Sequence, residues 1–130
     1  MVPDEPAARI LMVEDDAVIR EATQLTLERH GYDVTTAEDG AQALELLERG
    51  PVDLVVSDLE MPRVDGLELT RRLKRHPTLG WLPVVVVTTR AAEEDRRRGL
   101  EAGAAAYLTK GDLVRQDLVD VVRRLLGQAG

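Results

Sequence analysis

The run Arg9-Ile10-Leu11-Met12-Val13 is apolar at every position after the first, and it stops abruptly at three acids, Glu14-Asp15-Asp16. Its length suits a strand. The lack of in/out alternation marks a strand covered on both faces, as in a parallel sheet. The same signature returns at Asp53-Leu54-Val55-Val56-Ser57 and at Pro83-Val84-Val85-Val86-Val87-Thr88. Asp33-Val34-Thr35-Thr36-Ala37 and Ala105-Ala106-Tyr107-Leu108-Thr109 are weaker instances.

Segments with helical spacing separate these runs. Val18, Ala22, Leu25 and Arg29 mark the first helix, with Asp15 or Asp16 as N-cap and Gly31 just past its end. Ala41, Leu44 and Leu47 mark the second, between Asp39-Gly40 and Gly50-Pro51. Leu67, Leu69 and Leu73 mark the third, which should stop near His76-Pro77. The fourth, about Ala91 to Gly103, is polar: Glu93, Glu94 and Asp95 precede Arg96, Arg97 and Arg98, an order that suits the helix dipole and allows i,i+3 or i,i+4 pairs. Val114, Leu118, Val121, Val122 and Leu125 form the apolar stripe of the fifth. Strict β-α alternation with short loops predicts an α/β domain: a parallel sheet with helices on both faces and right-handed crossovers.

Composition narrows the function. The 130 residues fit one domain, and 44% hydrophobic with 32% charged residues excludes a disordered or collagen-like chain. Trp81, Tyr32 and Tyr107 are the only aromatics, so the core is aliphatic and a base-stacking nucleic-acid surface is disfavoured. Acids outnumber bases 24 to 17, for a net charge of -7, which opposes non-specific binding to DNA or anionic membranes. Without cysteine there is no disulfide, thiolate nucleophile or Cys-ligated metal, and His30 and His76 alone do not make a zinc site. No apolar run approaches the ~20 residues of a membrane-spanning helix and no signal peptide precedes the first strand. We therefore expect a cytoplasmic protein with no membrane insertion and no direct nucleic-acid contact. Trp81 is expected to cover the core edge. Arg71, Arg72, Lys74 and Arg75 read as the solvated face of the third helix.

In an open parallel sheet, sites form beyond the carboxyl ends of the strands. There the chain places Glu14, Asp15 and Asp16 after strand 1, Asp58 after strand 3, Thr88 at the end of strand 4 and Lys110 after strand 5. Taken singly, each has an ordinary structural explanation as a cap, a turn residue or a solvated charge. Together they are costly: two carboxylates ~4 Å apart repel by about 4 kcal/mol at an effective dielectric of 20. Lys110 supplies one compensating charge, and a hard divalent cation would supply the rest. An all-oxygen set favours Mg²⁺. A carboxylate beside Mg²⁺, a hydroxyl and an ammonium is an arrangement for phosphoryl transfer onto that carboxylate.

In this order the motifs Ile10-Leu11-Met12-Val13-Glu14-Asp15-Asp16, Asp58-Leu59-Glu60-Met61-Pro62 with Asp65-Gly66, Thr88, Glu101-Ala102-Gly103-Ala104 and Tyr107-Leu108-Thr109-Lys110 resemble the receiver domain of two-component response regulators. The likeness spans residues 9–126, leaving 1–8 as a frayed lead-in and 127–130 as a tail. It implies a flavodoxin-like (βα)5 doubly wound sandwich with strand order 2-1-3-4-5. It implies Asp58 as phosphoacceptor, and Mg²⁺ (or Mn²⁺) held by Asp15, Asp58 and the backbone carbonyl of Glu60, with Glu14 acting through water. Lys110 and the Thr88 hydroxyl would contact the phosphoryl oxygens, with Tyr107 turning inward as Thr88 moves. The implied partners are a histidine kinase or phosphotransfer protein upstream, and a protein target on the face of the fourth helix, fifth strand and fifth helix. Such a domain catalyses only its own phosphotransfer and slow self-dephosphorylation.

Some positions depart from the pattern. Gly111 follows Lys110 where the family has proline, and we expect a trans peptide there because a non-proline cis bond costs about 3–4 kcal/mol. Thr89 is bulkier than the family's usual residue and is expected to narrow access to Asp58. Glu60 and Arg90, two residues after Asp58 and Thr88, are expected to pair as a lid that excludes attacking water. The chain ends soon after the fifth helix, which reads as a stand-alone chemotaxis-type regulator, although receivers fused to chemotaxis-type kinases look similar. A phosphorylation-independent scaffold is the alternative. A flavodoxin-like nucleotide binder would need a glycine-rich loop after strand 1, and Glu14-Asp15-Asp16 is not one.

Overall fold

The computed structural model describes residues 7–90, 92–110 and 117–127. Strands β1 (Arg9–Val13), β2 (Asp33–Ala37), β3 (Leu54–Asp58), β4 (Val84–Thr88) and β5 (Ala106–Thr109) alternate with helices α1 (Ala17–Arg29), α2 (Gly40–Arg49), α3 (Gly66–Arg75), α4 (Glu93–Ala102) and α5 (Asp117–Leu125). The strands form one sheet in the order β2-β1-β3-β4-β5, and every neighbouring pair is parallel. This is the flavodoxin-like arrangement expected from the sequence. The Lys110–Gly111 peptide and Val114, for which there were expectations, lie outside the described residues.

The two faces of β1 explain why its apolar run is continuous. Leu11 and Val13 enter a core with Val55, Leu69, Leu73, Val84 and Val86. Ile10 and Met12 enter the opposite one with Leu27, Val56, Val85, Leu118 and Val122. Each such side chain, fully withdrawn from water, contributes roughly 1.5–3 kcal/mol before the entropy of ordering is set against it.

Helix starts are capped as their acids suggest. The Asp16 carboxylate accepts from the Val18 and Ile19 N–H groups, Asp39 from Gln42, and Asp65 from Glu68. Among the sequence expectations the inward face of α1 is corrected. Thr23 and Leu27 are buried, whereas Val18 is 78% exposed and Leu25 is exposed as well. Two further readings change. Trp81 does not cover the core edge, being 64% exposed. Lys74 is not part of a solvated face: its ammonium donates to the Gly80 and Leu82 carbonyls at 3.1 and 2.6 Å. Burial holds its pKa below the usual lysine value.

Close packing ties α3 to the end of β3. A Cβ at Gly66 would fall on the Asp58 carbonyl oxygen, and the Gly66 N–H donates to the Leu59 carbonyl at 2.9 Å. The loop between them is braced from α2. Arg63, in the left-handed region at φ 69°, sets its guanidinium on Asp39 with contacts of 2.7–2.9 Å. The Gly40 N–H donates to the Val64 carbonyl.

Candidate functional site

Parallel register delivers the polar strand ends to one edge. Val13 stands opposite Ser57, Asp58 opposite Val87 and Thr88 opposite Thr109. The residues that follow β1 and β5, Glu14 and Lys110, therefore converge on the end of β3. Carboxylate oxygens of Glu14, Asp15 and Asp58 lie within 4.8 Å of one another. Glu14, Asp58 and Thr88 are buried, and Asp15 is exposed.

Lys110 joins the two buried acids. Its Nζ lies 2.9 Å from Glu14 Oε1 and 3.5 Å from Asp58 Oδ2. The other Glu14 oxygen accepts from the Asp16 N–H at 3.2 Å. The Leu59 N–H donates to Asp58 Oδ1 at 2.8 Å, which fixes the carboxylate in rotation and leaves Oδ2 facing the ammonium. Burial raises the Glu14 pKa to about 7, against the opposing pull of Lys110 and the Asp16 N–H, and the charge of Asp58 adds to the rise. Burial likewise raises Asp58, with Lys110 the main opposing influence. For Lys110 burial works against the charge, but Glu14 and Asp58 outweigh it and lift its pKa above the ordinary value.

Counting charges tests whether a cation fits. Three ionised carboxylates and one ammonium leave two negative charges in a mostly buried cluster, the charge of one divalent ion. The ligand atoms are all oxygen, the chemistry of Mg²⁺ rather than zinc.

The residues expected to control access follow Asp58 and Thr88 by one or two positions. Arg90 and Glu60 form the predicted pair, bidentate, with Nε–Oε1 at 2.9 Å and Nη2–Oε2 at 3.1 Å. Hydrogen bonding to Arg90 holds the Glu60 pKa below its usual value. Thr89 is exposed beside them. The Thr88 hydroxyl accepts from the Arg90 N–H at 3.2 Å, and the Tyr107 hydroxyl donates to the Arg90 carbonyl at 2.7 Å. Tyr107, expected to turn inward as Thr88 moves, is already buried in this structure. Gly99 makes that possible, because a Cβ there would stand 2.8 Å from Tyr107 Cδ2.

Two features escaped the sequence reading. Asp39 and Arg63 brace the β3–α3 loop. Asp95 meets Arg90 at 3.6 Å; among the described residues it pairs with no arginine of its own helix. Glu60 and Arg90 are each two positions from a strand-end site residue, whereas Asp95 lies in the following helix and has no such sequence signal.

The family model described as a response regulator receiver domain matches residues 10–123. The gliding motility regulatory protein of Myxococcus xanthus is 39% identical over 127 residues, covering 95% of this chain and 16% of that protein. The response regulator MprA of Mycobacterium sp. (strain KMS) is 42% identical over 118 residues, covering 91% of this chain and 50% of that protein. The chain thus spans half or less of these curated relatives. Among solved structures, the receiver domain of the sensor histidine kinase PA1611 from Pseudomonas aeruginosa superposes with a TM-score of 0.85 at 32% identity. The match covers 94% of this chain and 99% of that one, which carries a magnesium ion coordinated in its active site cleft.

Proposed function

The chain belongs to the response regulator receiver family, and from that premise we propose that it accepts a phosphoryl group on Asp58 from the phosphohistidine of a histidine kinase or phosphotransfer protein. The observation that carries this reading is Lys110 Nζ lying between Glu14 and Asp58, with one Asp58 oxygen anchored by the Leu59 N–H and the other turned toward the ammonium. In the transfer the P–N bond to histidine breaks and a P–O bond to Asp58 forms. The transition state is loose and anionic, so positioning and charge stabilisation do the catalysis. Lys110 meets the developing charge, and the Thr88 hydroxyl is within reach once it leaves the Arg90 N–H. Asp15, Asp58 and the Glu60 carbonyl would hold Mg²⁺, with Glu14 acting through water. Bound there, the ion would neutralise phosphoryl oxygens and orient them in line. The output would be altered affinity of the α4-β5-α5 face for a protein partner.

An amide NMR titration with Mg²⁺ and then beryllium fluoride, a phosphoryl mimic, tests this. Shifts should begin at Asp58, Thr88 and Lys110, spread to Tyr107 and α4, and vanish in Asp58→Asn. A spectrum that neither addition moves would replace this reading with a phosphorylation-independent scaffold.

The Glu60–Arg90 pair supports a second expectation. Joining residues that lie two positions beyond Asp58 and Thr88, it would obstruct the water that hydrolyses the acyl phosphate. Arg90→Ala should shorten the phosphoryl half-life several-fold with acceptance intact, read by following loss of label after the donor is removed. An unchanged half-life leaves the pair as two solvated side chains.

A further inference from the structure

Helix α4 is held differently from its neighbours. Gly99 is its one buried residue, whereas α3 buries Gly66, Leu69, Thr70 and Leu73. Its N-cap, Ala92, provides no side-chain hydrogen bond. Its first turns stand across an open groove of about 480 Å³ from α3, floored by Leu59, Met61 and Leu67 and walled by Arg90, Asp95 and Arg98. Apolar packing therefore does little to fix the start of this helix. Among the described residues, the ion pair that ties it to another part of the domain is that of the Arg90 guanidinium, 3.6 Å from Asp95 in the first turn and bound on its other side to Glu60. Asp95 is mostly shielded, with 21% of its side chain exposed.

We propose that Glu60, Arg90 and Asp95 form an electrostatic latch that holds the first turn of α4 in its present place, and that phosphoryl acceptance at Asp58 opens it. The opening half rests on the phosphoacceptor reading. Arg90 is the common joint: its N–H binds the Thr88 hydroxyl, its carbonyl receives the Tyr107 hydroxyl, and its guanidinium bridges β3–α3 to α4. A phosphoryl group brings about 1.5–2 negative charges and three strong acceptor oxygens. It draws on Arg90 electrostatically and recruits the Thr88 hydroxyl, which removes the acceptor of the Arg90 N–H. The contact to Asp95 is longer than hydrogen-bonding distance, whereas Glu60 is bound in bidentate fashion, so the Asp95 contact yields first. Freed of Arg90, the first turn of α4 can shift over the groove, and Tyr107, bonded to Arg90 and packed on Gly99, moves with it. The latch thus sets how much of the phosphoryl binding energy is spent on moving α4.

Asp95→Asn tests both halves, with Asp95→Glu as the charge-retaining control. In the unmodified protein, amide hydrogen exchange in the first turns of α4 should be about two- to fivefold faster in Asp95→Asn than in wild type, the range for one partly exposed ion pair. Exchange in β1 and β3 should be unchanged, and Asp95→Glu should behave as wild type. Raising salt from 0.05 to roughly 0.5 M should speed α4 exchange in wild type and leave Asp95→Asn unmoved. Equal α4 exchange in wild type and Asp95→Asn at both salt levels removes the latch. With Mg²⁺ present, Asp95→Asn should bind beryllium fluoride about two- to fivefold more tightly than wild type. Equal or weaker binding removes the opening step. A wild type that binds no beryllium fluoride ends the phosphoacceptor reading and the opening step with it, while the exchange arm still decides the latch.

Discussion

Asp58→Asn should abolish phosphoryl acceptance and also make the metal-free protein more stable. The loss follows from chemistry: an amide oxygen is too weak a nucleophile to form the acyl phosphate, and neither neighbouring acid has the same anchoring. The gain follows from electrostatics. Asp58 is buried 5% exposed beside Glu14, and burial already pushes its pKa up. Replacing it with a neutral isostere relieves repulsion from Glu14 and Asp15 and forfeits part of the attraction to Lys110. Because Lys110 keeps its shorter contact to Glu14, relief should dominate by about 1–2 kcal/mol, a rise of roughly 3–8 °C in melting temperature for a domain of this size. Incubation with a phosphorylated kinase, read by intact mass, and a thermal melt in chelator test the two halves. Phosphorylation of the variant would move the acceptor elsewhere, and a lower melting temperature would mean that the cluster is net stabilising without metal.

Stability of the metal-free protein should fall as pH rises from about 4.5 to about 7. Glu14 sits at about 7 in the fold against 4.5 when unperturbed, because it is buried. Between those values the folded state holds the proton that the unfolded state has released, so unfolding is favoured as pH increases. The shift corresponds to about 3 kcal/mol across the window, and Asp58, also raised, acts in the same direction. Lys110 has a raised pKa, so its stabilising contribution is complete below its unfolded value and is lost only in strong alkali. Asp39, lowered chiefly by the Gln42 N–H with Arg63 assisting, loses its contribution only in strong acid. Neither intrudes on the window. Saturating Mg²⁺ should reverse the trend, adding about 2.7 kcal/mol at a hundred times its dissociation constant. Urea unfolding from pH 4.5 to about 8, with and without Mg²⁺, measures both effects. Glu14→Gln should flatten the metal-free curve, and a slope that survives this change assigns the effect to other groups.

The sheet was legible because its strands are covered on both faces, and that demand writes itself as unbroken valine and leucine. The site was legible for a related reason: a parallel sheet sends every carboxyl end to one edge, so acids immediately after strands must meet. Less could be read where tertiary partners override local pattern. Val18, Ala22 and Leu25 share a helical spacing, yet α1 turns Thr23 and Leu27 inward, and singly exposed apolar residues are ordinary on a folded surface. Lys74 looked solvated because its partners, the Gly80 and Leu82 carbonyls, belong to a loop with no signature. The acid-then-base order of α4 allows internal pairs but says nothing of Arg90, which meets Asp95 from outside the helix. Such choices depend on where a neighbouring element lies, which composition does not encode.

The exposed indole of Trp81 has a practical consequence for spectroscopy. It is the chain's only tryptophan, it sits seven positions before Thr88, and along an extended strand that is roughly 20 Å from the acidic end of the sheet. At 64% exposure its emission should report a largely aqueous environment, remote from the phosphoryl pocket. Intrinsic fluorescence should therefore stay nearly constant through metal binding, phosphoryl transfer and any movement of α4. That constancy makes Trp81 a built-in reference for concentration, against which a second fluorophore placed on α4 could be read as a ratio.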